Sequence, residues 1–336
     1  MDILPPKTHG ERRHLISIAD LRQVDIERIL ETAEGFQSVM RRDRKKVPTL
    51  RGRTVMTVFF EASTRTSSSF ELAAKRLSAD TVSLRAAGSS VDKGESLRDT
   101  VQTLSAYDPD VIVIRHPSVG APGMVRAWTD AHVVNAGDGK HQHPTQCLLD
   151  LYTIRAALGR LAGIHVAIVG DVEHSRVARS DVIGLRMMGA RVTLVGPPTL
   201  IPRNATSLGV DVSHSIDAIA DADVIYVLRM QRERMAEGET YVPSMREYTE
   251  LWGVTPERVR PGQLVMHPGP MNRGVEIAPE VADGPSSRIF DQVRAGLVVR
   301  MAVLYDLLAG PGTTDAEVAL RVVQPDVVSA TGQEVA

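Results

Sequence analysis

The sequence predicts an α/β fold of two doubly wound parallel-sheet domains with a cleft between them. Three observations predict it. The chain has 336 residues, beyond the ~250–300 residues at which one core usually stops growing. Strand-like and helix-like patterns alternate along it, as βαβ units require. The alternation then restarts after a helical stretch at 146–158. The first domain is read as 1–144 with a C-terminal helix at 289–310, the second as 145–288, and 311–336 as a loosely held tail.

Each element has a local reason. Residues 25–42 place Ile26, Ile29, Leu30, Ala33, Phe36 and Met40 on one helical face, with Asp25 as the expected N-cap. The run 54–60 is a buried strand, and 70–77 is helical. Strands follow at 80–84, 111–114 and 132–136. In the second half they fall at 163–170, 191–195, 223–228 and 263–266. A last helix over 289–308 carries Phe290, Val293, Leu297, Met301, Leu304 and Leu308 at helical spacing, and Gly310-Pro311-Gly312 stops it.

Composition removes several function classes. Hydrophobic residues make up 43% and charged residues 24%, an ordinary globular balance. The net charge of -2 gives no basic excess for nucleic acid or an anionic membrane. The single cysteine, Cys147, permits neither an intrachain disulfide nor a cysteine zinc site and fits a reducing compartment. The N-terminus lacks an apolar signal core, and no uncharged apolar run approaches ~18 residues. A cytoplasmic location is expected.

The chemistry concentrates at strand ends. FEASTRTSSSF (60–70) puts Ser63, Thr64, Arg65 and Thr66 where a strand passes into a helix. Free backbone N–H groups and the positive dipole end make such a corner an anion site, and the arginine fork suits phosphate oxygens. Capping would explain one hydroxyl, not three with an arginine. The phosphate-loop pattern GxxxxGK[ST] and the dinucleotide pattern GxGxxG are absent. Ser89 and Lys93 lie in a loop with glycines at both ends, which alone reads as a solvated surface loop. Arg115 follows the third strand, where open α/β sheets bind ligands; an exposed salt-bridging arginine is the bland alternative. His143 and Gln146 stand at a helix start. The His141-x-His143 pair lacks a third ligand at a supporting spacing, so a hydrogen-bonding or acid–base histidine fits better than a metal site. Arg176, suited to a carboxylate, Arg229 and Gln231 follow further strands, as does the turn His267-Pro268-Gly269-Pro270 with its exposed carbonyls.

Together these segments resemble the catalytic chains of the aspartate carbamoyltransferase family, over roughly residues 14–310. The matching pieces are Ser63–Thr66, the Ser89 to Lys93-Gly-Glu loop, Arg115-His-Pro, His143-Pro-Thr-Gln, Ser175-Arg-Val, Arg229-x-Gln231 and His267-Pro-Gly-Pro. The resemblance implies an active site in the cleft between the domains. There carbamoyl phosphate gives its carbamoyl group to L-aspartate, an early step of pyrimidine synthesis, without metal or organic cofactor. It implies that Ser63, Thr64, Arg65 and Thr66 bind phosphate, and that Arg115 bridges phosphate and carbonyl. His143 with Thr66 would polarise the carbonyl, and Gln146 would hold the carbamoyl amide. Ser89 and Lys93 would reach into a neighbouring subunit of a homotrimer with shared active sites, Lys93 meeting aspartate there. Arg176, Arg229 and Gln231 would bind aspartate carboxylates, and the carbonyls near Gly269 and Pro270 would position substrates. Departures are Ser67 where the family often has arginine, Ala62 for proline or asparagine, and Gly269 for leucine. The His267 to Gly274 segment resembles members that associate with dihydroorotase; association with that enzyme or with regulatory chains stays open.

Two other transferase substrates, ornithine or an acylated ornithine, are weighed against aspartate. The ornithine enzymes typically carry Ser-Met-Gly and His-Cys-Leu-Pro, whereas Leu228-Arg229-Met230-Gln231 and His267-Pro268-Gly269-Pro270 stand here. Arginines facing the second substrate suit a dicarboxylate. A catalytically dead scaffold is disfavoured by the intact Arg65, Arg115, His143 and Lys93, and a dehydrogenase by the missing GxGxxG.

Overall fold

A computed structural model describes residues 13–85, 94–231 and 241–309. The first sheet has four strands: β1 (Thr54–Phe59), β2 (Asp80–Arg85), β3 (Val111–His116) and β4 (His132–Asp138). Their order is β2-β1-β3-β4. The second has β5 (His165–Gly170), β6 (Arg191–Val195), β7 (Asp211–Ser213), β8 (Val224–Leu228) and β9 (Leu264–Met266). Their order is β7-β6-β5-β8-β9. Every pairing in both sheets is parallel. In each sheet the winding reverses beside its first strand, so a crevice opens at the carboxyl ends of β1 and β3 and of β5 and β8.

The strands are apolar on both faces because helices cover both. Along β1, Val55 and Phe59 enter one core while Met56 and Val58 enter another. Along β5, Val166 and Ile168 part from Ala167 and Val169 in the same way. The helices are α1 (Gln23–Met40), α2 (Thr64–Arg76), α3 (Leu97–Ser105), α4 (Ala121–Arg126), α5 (Pro144–Leu158), α6 (Arg176–Met187), α7 (Met245–Trp252), α8 (Pro279–Ala282) and α9 (Ile289–Leu308). The last, α9, returns to pack on α1, α2 and α5. The largest core thus runs through α1, α5 and α9 and joins one face of each sheet.

Three local expectations change. Arg22, not Asp25, is the N-cap of α1; Asp25 sits at the third helical position and accepts the Arg22 N–H at 3.1 Å. Helix α2 begins at Thr64, about a turn and a half before residue 70. Phe290 and Val293 are 61% and 52% exposed, because α9 buries Ala295, Val298, Val299 and Ala302 instead. The tail 311–336 lies outside the described residues. Among those described, no helix is long and apolar enough to cross a membrane.

Candidate active site

Ser63 is the N-cap of α2 and makes no side-chain capping bond. The Ser67 hydroxyl instead donates to the Ser63 carbonyl at 2.8 Å. The start of this 13-residue helix therefore keeps its positive end for a ligand. Arg115 stands beside it, in register with Phe59, and its carbonyl accepts the Phe60 N–H at 2.9 Å. His143 caps α5 with no side-chain capping bond. Its backbone N–H donates to the Ser180 hydroxyl at 2.8 Å, which donates to Gln142 Oε1 at 2.7 Å. Gln146 follows in the first turn of α5.

The opposite wall comes from the second sheet. Arg176 opens α6 and is 2% exposed. Gly137 makes room for it: at φ +117 a Cβ there would stand 2.8 Å from Arg176 Nη1. Arg229 and Gln231 follow β8. The Gln231 N–H donates to Asp171 Oδ2 at 2.8 Å, and Asp171 Oδ1 lies 2.8 Å from His174 Nδ1. After β9, Gly269 lies against the Arg65 guanidinium, so close that a Cβ at this position would stand 2.6 Å from Arg65 Cζ.

Ser63, Thr64, Arg65, Thr66, Arg115, His143, Gln146, Arg176, Arg229, Gln231, Gly269 and Pro270 all line one cavity of ≈ 1530 Å³. Ser89 and Lys93 lie outside the described residues. The electrostatics span the cleft. Arg65 is pushed down by burial and then by the charge of Arg229. Arg115 is pushed down by burial and by Arg176. A site crowded with positive charge is suited to anions.

Sequence reasoning missed Glu61, two residues before the hydroxyl cluster. Its carboxylate accepts from Arg115 Nη2 at 2.6 Å and Arg176 Nη2 at 2.5 Å, tying the two halves together. Burial would raise its pKa, but the Arg176 hydrogen bond and both arginine charges hold it at about 2. Lys140, Gln292 and Arg300 also line the cavity. His141 Nδ1 lies 3.0 Å from Asp138 Oδ2. Among the described residues no group of three or more His, Cys, Asp or Glu could hold a metal ion.

Comparison with known proteins gives two family matches. Residues 13–156 match the carbamoyl-P binding domain of aspartate/ornithine carbamoyltransferases, and 162–307 their Asp/Orn binding domain. The chain is 56% identical over 304 residues to the aspartate carbamoyltransferase catalytic subunit of Pelotomaculum thermopropionicum, covering 89% of this chain and 97% of that one. It is 54% identical over 304 residues to that of Moorella thermoacetica, covering 89% and 98%. Among solved structures it resembles Trypanosoma cruzi aspartate transcarbamoylase in complex with N-(phosphonacetyl)-L-aspartic acid, with TM-score 0.79, 31% identity and coverage of 87% and 95%. It also resembles the catalytic subunit of M. Jannaschii aspartate transcarbamoylase, with TM-score 0.77, 37% identity and coverage of 88% and 98%.

Proposed function

The chain belongs to the aspartate/ornithine carbamoyltransferase family, and we propose that its cleft transfers the carbamoyl group of carbamoyl phosphate to L-aspartate. The products are N-carbamoyl-L-aspartate and phosphate. One observation carries the reading: Arg65 and Arg229 lie on opposite walls, close enough that the charge of one lowers the pKa of the other. Such a pair of cationic walls holds a phosphorylated donor and a dicarboxylate acceptor side by side. The relatives named above are aspartate enzymes, which supports aspartate over ornithine.

In this reading Ser63, Thr64, Arg65 and Thr66 bind phosphate through hydroxyls, guanidinium and the α2 N-terminus. Arg115 spans phosphate and carbonyl. Arg115, Thr66 and His143 direct donors at the carbonyl oxygen, and a donor placed for the developing oxyanion is worth about 3 kcal/mol. Gln146 holds the carbamoyl nitrogen. Arg176, Arg229 and Gln231 hold the aspartate carboxylates, and the carbonyls near Gly269 and Pro270 orient both substrates. The neutral aspartate amine attacks the carbamoyl carbon, the C–O bond to phosphate breaks, and the departing phosphate takes the amine proton. Juxtaposing two anions that repel in water supplies much of the rate. Ser89 and Lys93 act from a neighbouring subunit of a homotrimer, in the cytoplasm, and the product enters pyrimidine synthesis.

The test is a colorimetric assay for carbamoyl-aspartate, with ornithine in parallel. Product from aspartate alone is expected. Citrulline from ornithine, with none from aspartate, overturns the reading.

A further inference from the structure

Behind Gln146 runs a chain of hydrogen bonds whose direction is set by the backbone. The His267 N–H can only donate, and it donates to Gln292 Oε1 at 2.9 Å. That orients the Gln292 amide, so its Nε2 donates to Asp150 Oδ1 at 2.7 Å. Asp150 is 3% exposed and stands one turn after Gln146 on α5. Its Oδ2 accepts from the Tyr226 hydroxyl at 2.7 Å. Gln146 Nε2 donates to both carboxylate oxygens, at 3.2 and 3.1 Å. An ionised carboxylate only accepts. Gln146 must then turn its NH2 group inward, which leaves its carbonyl oxygen as the end for the cleft it lines.

We propose that Asp150 is a positioning residue: it orients Gln146 so that the cleft accepts an N–H donor, and thereby selects a carbamoyl group over an acyl group bearing methyl in place of the amine. This rests on the transfer reading above. The opposite amide orientation would set a carbonyl oxygen against a carboxylate, two acceptors with no proton between them. A site built to accept from an N–H discriminates against an analogue lacking it, because its own oxygen is then left unpaired.

Keeping a carboxylate here has a cost that a packing role would not require. Three side-chain donors and the charge of buried Arg300 offset it. Burial raises Asp150 to about 7, and burial with the Asp150 charge raises neighbouring Asp181 well above its ordinary value. The three side-chain donors aimed at its oxygens assign the negative charge of the Asp150–Asp181 pair to Asp150.

The experiment compares wild type, Asp150→Asn and Asp150→Ser at pH 8.5. It reads KM for carbamoyl phosphate and the inhibition constants of acetyl phosphate and inorganic phosphate. In Asp150→Asn, Gln292 still donates to the remaining carbonyl, so the new NH2 takes the Oδ2 position against the Tyr226 hydroxyl and Gln146 Nε2, and the inward NH2 of Gln146 meets a donor where it had met an acceptor. KM for carbamoyl phosphate should rise about tenfold, while the two inhibition constants change less than about twofold. Asp150→Ser imposes no direction and should shift the same ratio the same way by a smaller factor; it carries the test if the asparagine variant does not fold. An unchanged ratio of carbamoyl phosphate KM to acetyl phosphate inhibition in a folded variant overturns the proposal. So does an equal weakening of all three ligands. Wild type that fails to carbamoylate aspartate sinks the transfer reading, whereas intact transfer with an unchanged ratio sinks this inference alone.

Discussion

Replacing Glu61 with glutamine tests how the cleft tolerates its own charge. The Glu61 carboxylate, 30% exposed, sits between Arg115 and Arg176 and has its pKa lowered from 4.5 to about 2. At ~1.4 kcal/mol per unit, that gap corresponds to an upper figure of ~3 kcal/mol. Solvent screening reduces it. Arg115 is also pushed down by its burial and by Arg176 despite this partner, so the carboxylate offsets crowding more than it adds surplus. A net contribution of ~2 kcal/mol remains. Because the folded pKa is depressed, this stability is fully present above pH 4.5 and fades as the pH falls towards 2. Glu61→Gln should lower the thermal midpoint at pH 7 by roughly 3 °C in phosphate-free buffer. The gap to wild type should close on acidification. Inorganic phosphate should stabilise the variant more than wild type, since it meets arginines that no longer have Glu61. Scanning calorimetry from pH 7 to pH 3, with and without phosphate, reads all three effects. Equal midpoints at pH 7, or equal phosphate shifts in both proteins, refute the reasoning.

Arg229→Ala should raise KM for aspartate about a hundredfold, the scale of a lost charge-assisted bond, while carbamoyl phosphate binding stays within about twofold by equilibrium dialysis. His143→Ala should lower kcat about a hundredfold and leave the phosphate inhibition constant nearly unchanged in steady-state assays. Gly137→Ala sets a Cβ 2.8 Å from Arg176 Nη1 at φ +117; aspartate KM should rise and the thermal midpoint fall, and calorimetry with steady-state kinetics will show both. Gly170→Ala sets a Cβ 2.4 Å from the Leu228 carbonyl; it should parting-strain β5 from β8 and cost roughly 3 kcal/mol in urea unfolding.

What was legible in the sequence follows from how parallel sheets make sites. A strand's carboxyl end and the next helix's start are adjacent in the chain, so FEASTRT, Arg115-His-Pro and His143-Pro-Thr-Gln announce themselves locally. The start of α2 was misjudged because serine and threonine lower the apparent helix propensity of its first turns, where their hydroxyls face the cleft or the helix's own carbonyls. The α9 face was misjudged because helical spacing marks several faces of a mostly apolar helix, and tertiary packing chooses among them. Glu61 was invisible for another reason: its partner Arg176 is 115 residues away. Asp150 meets Gln292 across 142 residues, and His143 meets Ser180 across 37. No window of sequence joins such pairs, yet they decide which way an amide or a guanidinium points. The groups that would touch substrate are therefore readable as local motifs, while those that aim them emerge only when the two sheets are brought together around α5 and α9.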